Sequence, residues 1–95
     1  MNSRFSTVHN FNEAAIFREI TRAAALYPEL PDQPELLADV ACVALNHMSP
    51  RYICHDLDAV FYMTDDDRSQ HAIAVATAVA SAFEFVQSRT ARGSA

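Results

Sequence analysis

The chain has 95 residues, a length that forms one small domain with a limited hydrophobic core. Hydrophobic residues make up 51% of it, which is typical of a globular protein and not of a disordered one. The net charge is −5 and lysine is absent, so the chain lacks the broad cationic surface with which proteins bind duplex nucleic acid.

The first predicted element is a helix that follows Asn10 and ends at about Tyr27. Asparagine is a common cap, because its side-chain oxygen accepts a hydrogen bond from an unpaired N–H of the first turn. Residues 1–9, before this helix, are expected to form an arm. The apolar positions at helical spacing are Phe11, Ala15, Phe17, Ile20, Ala24 and Leu26.

A proline-rich loop and a second helix come next. Residues 27–34 contain three prolines, each of which fixes its own φ and restricts the residue before it. Asp32 is expected to cap the second helix, and Pro34 suits its first turn. Pro50 should end this helix, because a proline disfavours helical geometry in the residue before it. The apolar stripe of this helix comprises Leu37, Val40, Ala41, Ala44, Leu45 and Met48.

The chain after Pro50 begins with an extended segment at Tyr52. Residues 57–63 fit either a helical turn or a buried strand, and the pattern leaves both open. Thr64 and the aspartates after it predict a helix N-terminus, with a threonine cap and negative charge near the positive end of the helix dipole. This last helix is predicted over residues 65–88, with residues 90–95 as a frayed tail. Its apolar stripe comprises Val75, Val79, Phe83 and Val86.

Together these elements predict a mainly α fold, a single small helical domain over residues 1–95. It has about three principal helices and a short extended segment after Pro50. The last helix is ~36 Å long at 1.5 Å per residue, which exceeds what a domain of this size covers by itself. We therefore expect a homodimer.

Neither a metal site nor an active site is predicted. Cys42, His47, Cys54 and His55 suit zinc chemically, but their spacing does not. Neighbouring Cys54 and His55 would point apart in an extended segment, so they do not form a nucleophile and base pair. We expect free thiols, no metal, no cofactor and no enzyme activity. The N-terminus has no signal-peptide pattern and no segment reaches the ~18 apolar residues of a membrane span, so we expect a cytoplasmic protein without a membrane partner.

The residues best suited to bind a ligand lie around Pro50. The Arg51 guanidinium can bind phosphate or a guanine edge through two parallel hydrogen bonds, and Tyr52 offers a ring on which a base can stack. Asn46 lies just before them, and Arg68 is an additional candidate, although the neighbouring aspartates oppose an anion. A structural alternative stays open, in which Arg51 contacts the carbonyls at the helix C-terminus and Tyr52 packs in the core.

Residues 35–56, ELLADVACVALNHMSPRYICHD, resemble the late competence development protein ComFB family. The shared features are an aspartate, a short hydrophobic run, ALN, and a proline followed by RY. The resemblance implies a mainly helical, dimeric, non-enzymatic protein that binds a cyclic dinucleotide, notably cyclic di-GMP, in bacterial motility or competence regulation. The matching positions here are Asp39, Ala44, Leu45, Asn46, Pro50, Arg51 and Tyr52.

The chain departs from the family pattern at two places. Some relatives carry zinc-binding cysteines just before the aspartate-containing helix, whereas residues 31–34 here read PDQP, so the zinc is not carried over. Ser49 replaces the first proline of the commoner Pro-Pro-Arg-Tyr form. The leading expectation is a homodimer that binds cyclic di-GMP and signals to a protein partner. The alternative is a structural or protein-interaction homodimer without nucleotide binding, with residues 72–86 as its interface.

Overall fold

A computed structural model describes residues 3–28, 30 and 34–93, with the backbone alone for residues 3 and 91–93. Within these residues the fold is mainly helical, as predicted, and has four α-helices. They are α1 (Asn12–Ala23), α2 (Pro34–Asn46), α3 (Asp56–Phe61) and α4 (Asp65–Gly93). Two 3₁₀ helices, Ser3–Phe5 and Ala24–Leu26, flank α1 in the chain. None of the described helices is both long and apolar enough to cross a membrane.

A minimal antiparallel sheet joins the start of the chain to the segment after Pro50. Strand β1 (His9–Asn10) pairs with β2 (Tyr52–Ile53), with His9 opposite Ile53 and Asn10 opposite Tyr52. The predicted extended segment is therefore confirmed. The end of the expected arm is a strand, because β2 supplies the hydrogen-bonding partner that no sequence neighbour reveals.

The helix ends follow local chemistry. Asn10 Oδ1 accepts a hydrogen bond from the Asn12 N–H at 3.1 Å, so its side chain pairs an N–H of the first turn as predicted, although Phe11 occupies the position directly before α1. Thr64 and Asp67 form a reciprocal capping box before α4, each backbone N–H donating to the other's side chain at 3.0 Å. The predicted cap Asp32 lies outside the described residues.

In the second half of the chain, the structure decides one prediction that was left open and corrects another. The ambiguous segment 57–63 contributes to a short helix, α3. Helix α4 continues to Gly93, past the predicted end at residue 88, so residues 90–93 are helical and not frayed; residues 94–95 lie outside the described part. Nothing between 88 and 92 interrupts a helix, whereas Gly93 is of a type enriched at helix C-termini.

The core lies where α1, α2 and α4 pack together. Val79 and Phe83 are almost completely buried, as the predicted α4 stripe requires, and the Tyr27 ring stacks on Phe83 with centroids 4.5 Å apart. The predicted α1 stripe is partly wrong, because Phe17 and Leu26 are exposed. The positions of α2 and α4 determine which face of α1 packs into the core. Its buried members on α1 are Asn12, Ile16, Ile20 and Ala23.

Candidate functional site

Arg51 lies between Pro50 and β2, and its backbone is fixed by contacts from the start of α1. Its N–H donates to Asn10 Oδ1 at 3.1 Å, and its carbonyl accepts from the Phe11 N–H at 2.6 Å. The side chain is exposed, with its Cζ atom 5.4 Å from the centroid of the Phe11 ring. This is a cation–π distance, so Phe11 supports the guanidinium at the surface.

The structural alternative for Arg51 and Tyr52 is wrong. The last carbonyls of α2 accept hydrogen bonds from the backbone N–H groups of His47 and Met48, not from Arg51. Among the described residues, the Arg51 guanidinium has neither a hydrogen bond nor a carboxylate at ion-pair distance. Tyr52 is 68% exposed and lies outside the core. Both side chains are therefore presented to solvent.

The other three predicted residues occupy different positions. Asn46 is the exposed last residue of α2, and Pro50 is exposed beside Arg51. Arg68 lies in the first turn of α4, where its Nη1 donates to Asp65 Oδ1 at 2.7 Å. Its charge is thus partly compensated by its own helix, so Arg51 and Tyr52 form the centre of the candidate site.

Arg51 borders a surface cavity of about 610 Å³, which we call the first groove. It runs between the C-terminal end of α2 and one face of α4. Apart from Arg51, the side chains that define it are His47, Met48, Ala74, Thr77, Ala78 and Ser81.

A second groove, of about 580 Å³, lies between α1, α3 and α4. Arg68 lines this second groove and Arg51 lines the first, so the structure does not bring these two arginines into one groove. The second groove is also lined by the carboxylates of Glu19 and Asp56. Glu19 forms an ion pair with Arg22 at 2.6 Å. His71 borders both grooves.

Asn12 and His71 are site residues that the sequence analysis missed. Asn12 is only 3% exposed; its Nδ2 donates to the Ser49 carbonyl at 3.0 Å, and its Oδ1 lies 2.9 Å from His71 Nε2. Because Oδ1 can only accept, His71 Nε2 carries the proton. Asn12 lies one turn before Ile16, and both are buried on the same face of α1. A polar residue at that spacing from an isoleucine was the signal that could have indicated a buried asparagine.

The pKa values of His71 and His9 are shifted in opposite directions. The pKa of His71 is lowered, because burial disfavours the imidazolium and because Arg51 adds positive charge nearby. His9 contacts two acceptors at 2.7 Å, Asp56 Oδ1 and the Thr7 carbonyl, and both contacts favour the protonated ring. These bonds, the one to Asp56 first, raise its pKa. Burial and Arg51 therefore disfavour the charged form of His71, and the contact with Asp56 links His9 in β1 to the start of α3.

The cysteines contribute no additional site. Cys42 and Cys54 are free thiols, as predicted, but both are exposed and not buried. In the described part of the chain, no group of three or more His, Cys, Asp or Glu side chains is arranged to hold a metal ion.

A family model described as late competence development protein ComFB matches residues 9–90. The match confirms the resemblance found in residues 35–56 and extends it over nearly all of the 95-residue chain. It includes Arg51, the strands that hold it and both grooves. No curated protein and no solved structure gives a significant match.

Proposed function

The chain belongs to the ComFB family, and on that premise we propose that it is a non-enzymatic regulatory protein that binds a cyclic dinucleotide, with cyclic di-GMP as the expected ligand. The family match is consistent with competence-related regulation. The observation that carries the proposal is the exposed guanidinium of Arg51, held above Phe11 at the border of the first groove.

The contact with Phe11 supports an anion-binding role for Arg51. A cation over an aromatic ring interacts with the face of the ring, and the N–H groups in the guanidinium plane stay available for an anion or a guanine edge. No described carboxylate competes for them at ion-pair distance. Since the whole chain carries −5, an anionic ligand depends on such a local positive group.

Tyr52 supplies the second chemical element of the proposed site. It follows Arg51 directly, and its backbone is fixed in β2 opposite Asn10. Its exposed ring provides a face for stacking a base, an interaction worth about 1–3 kcal/mol per base where it has been measured. Asn46 and Pro50 complete the proposed site at Arg51. Arg68, which lines the second groove and is bound to Asp65, is proposed only as a nearby source of positive charge.

We further propose that the protein is a cytoplasmic homodimer that passes the binding signal to a protein partner. Large apolar side chains exposed on and just after α3 favour a protein contact, because single domains rarely leave such residues grouped in water. They are Leu57, Phe61 and Tyr62. The same residues favour the second candidate function, a structural or interaction homodimer that binds no nucleotide.

Calorimetric titration with cyclic di-GMP, cyclic di-AMP and GTP tests the proposed function. We expect micromolar or tighter binding of cyclic di-GMP, about −8 kcal/mol or more favourable. Arg51→Ala should abolish this binding, with the circular dichroism spectrum unchanged. Arg89→Ala is the matched control, since Arg89 also lies over a phenylalanine, with its Cζ 5.6 Å from the Phe85 centroid. This control should bind like the wild type.

The absence of heat with all three nucleotides would contradict the proposed function and favour the second candidate. That candidate predicts that Ala76→Leu or Ala80→Leu, on α4, weakens self-association in sedimentation or size-exclusion measurements. Equal loss of binding in Arg51→Ala and Arg89→Ala would show that net charge, and not a site at Arg51, drives the interaction.

A further inference from the structure

We infer that a purine base of the bound nucleotide lies in the first groove, against α4, with the hydroxyls of Thr77 and Ser81 at its edge. This rests on the proposed function and adds to it the part of the chain that would select the base. Residues 74–81 lie outside the segment with the ComFB hallmark, and neither residue type nor spacing marked them as a nucleotide site in the sequence.

The groove has the position and the size that this role requires. It begins at Arg51, so a nucleotide whose phosphate contacts the guanidinium can extend a base along α4. Its volume of about 610 Å³ is within the range of about 300–1,000 Å³ that is usual for small-molecule sites. It is an open groove at the surface, which suits a flat group that enters from solvent.

On its α4 side, the first groove is lined by small side chains, and two of them carry hydroxyl groups. Ala74, Thr77, Ala78 and Ser81 occupy positions i, i+3, i+4 and i+7, and therefore share one face of the helix. Methyl groups at Ala74 and Ala78 leave room for a planar ring. Met48, at the end of α2, also lines the groove, and a thioether makes favourable contacts with aromatic rings.

The hydroxyls of Thr77 and Ser81 have no hydrogen-bond partner among the described residues, although both lie in the middle of a helix. Serine and threonine in helices commonly donate to the carbonyl four residues earlier. Thr21 does so, donating to the Phe17 carbonyl at 3.0 Å. Because Thr77 and Ser81 make no such bond, both hydroxyls can donate to or accept from a base.

The second groove is less suitable for an anionic nucleotide. Arg22 and Arg68 are each bound to a carboxylate of their own helix, at 2.6 and 2.7 Å. Glu19 and Asp56 also line this groove, and their negative charges oppose phosphate. The first groove contains no carboxylate in its lining and includes Arg51.

Two alanine-to-leucine variants distinguish the grooves. Ala74→Leu adds bulk to the first groove and Ala14→Leu adds it to the second; both alanines are exposed helix positions. In calorimetric titrations with cyclic di-GMP we expect about tenfold or greater loss of affinity for Ala74→Leu and an unchanged affinity for Ala14→Leu. Thermal unfolding should show that both variants are folded.

Base selection is tested by Thr77→Val and Ser81→Ala. Cyclic di-GMP and cyclic di-AMP share the same phosphate ring, so the ratio of their affinities reports on the base alone. We expect the double variant to change this ratio about fivefold or more, as the loss of edge hydrogen bonds predicts.

The results separate failure of this inference from failure of the proposed function. If Arg51→Ala abolishes binding while Ala74→Leu and the double variant behave like the wild type, the nucleotide site stands and the base position is wrong. Loss of binding in Ala14→Leu alone would show that the base lies in the second groove and not in the first. If the wild type binds neither cyclic dinucleotide, both proposals are wrong.

Discussion

Asn12 on α1 accepts a hydrogen bond from His71 on α4 across 2.9 Å, while its amide donates to the Ser49 carbonyl beyond the end of α2. One buried side chain thus connects the three principal helices at the place where the first groove begins. Since Asn12 and His71 are 59 residues apart, this contact depends on the completed fold.

Replacement of Asn12 should destabilise the protein well beyond an ordinary surface change. Asn12→Ala leaves the His71 and Ser49 groups without their buried partner, and we expect a loss of about 1–3 kcal/mol in the free energy of unfolding. Asn46→Ala, at an exposed position with no described partner, should change it by less than about 0.5 kcal/mol. Urea unfolding measures both. Equal effects would mean that Asn12 has no special role.

His71 should make the protein less stable in mild acid. Its pKa in the folded state lies below the ordinary value of 6.5, so the unfolded state binds more protons as the pH falls below that value. The contribution of His71 is therefore present above pH 6.5 and is lost as the pH falls towards its lowered pKa. In urea unfolding at several pH values, His71→Gln should reduce this decline. An unchanged pH profile would contradict the lowered pKa of His71.

His9 should have the opposite effect. Its pKa is raised by the bonds to Asp56 and Thr7, so its contribution is fully present below pH 6.5 and is lost as the pH rises through the raised value. His9→Gln should remove a decline in stability on the alkaline side of pH 6.5, and Asp56→Asn should remove most of the same decline. NMR titration of the His9 ring in the wild type measures the pKa directly; a value at or below 6.5 would contradict the ion pair.

The capping box before α4 should contribute measurably to stability. Thr64→Ala removes the acceptor for the Asp67 N–H, and loss of such a cap costs about 1 kcal/mol. The bonds from Thr64 lower the pKa of Asp67, so its contribution is present above the ordinary value of 3.8 and is lost as the pH falls through the lowered value. Asp66→Ala, next to the box, should have a smaller effect in the same urea unfolding experiment.

Truncation of two phenylalanines should destabilise the protein to very different extents. Phe83 is 1% exposed and stacks on Tyr27, so Phe83→Ala should cost about 3–5 kcal/mol in the free energy of unfolding. Phe61 is 77% exposed on α3, and Phe61→Ala should cost less than about 0.5 kcal/mol in the monomer. A larger, concentration-dependent loss at Phe61 would indicate that a second subunit covers it.

Features that depend only on neighbouring residues could be predicted from the sequence. The Thr64 to Asp67 cap, the end of α2 before Pro50 and the α4 stripe containing Val79 and Phe83 all follow from chemistry within one or two turns. For the same reason the RY segment after Pro50 could be selected as a candidate site, because an arginine next to a tyrosine is visible in the sequence.

The exposure and orientation of these residues depend on the packing of distant segments. Arg51 is held by Asn10 and Phe11, about 40 positions away in the chain, and that packing turns its side chain to solvent above a ring. Periodicity placed Phe17 on the buried face of α1, but the positions of α2 and α4 selected the face of Ile16 instead. Local patterns indicate where caps and breaks occur along the chain, whereas burial and contact depend on which distant surfaces meet.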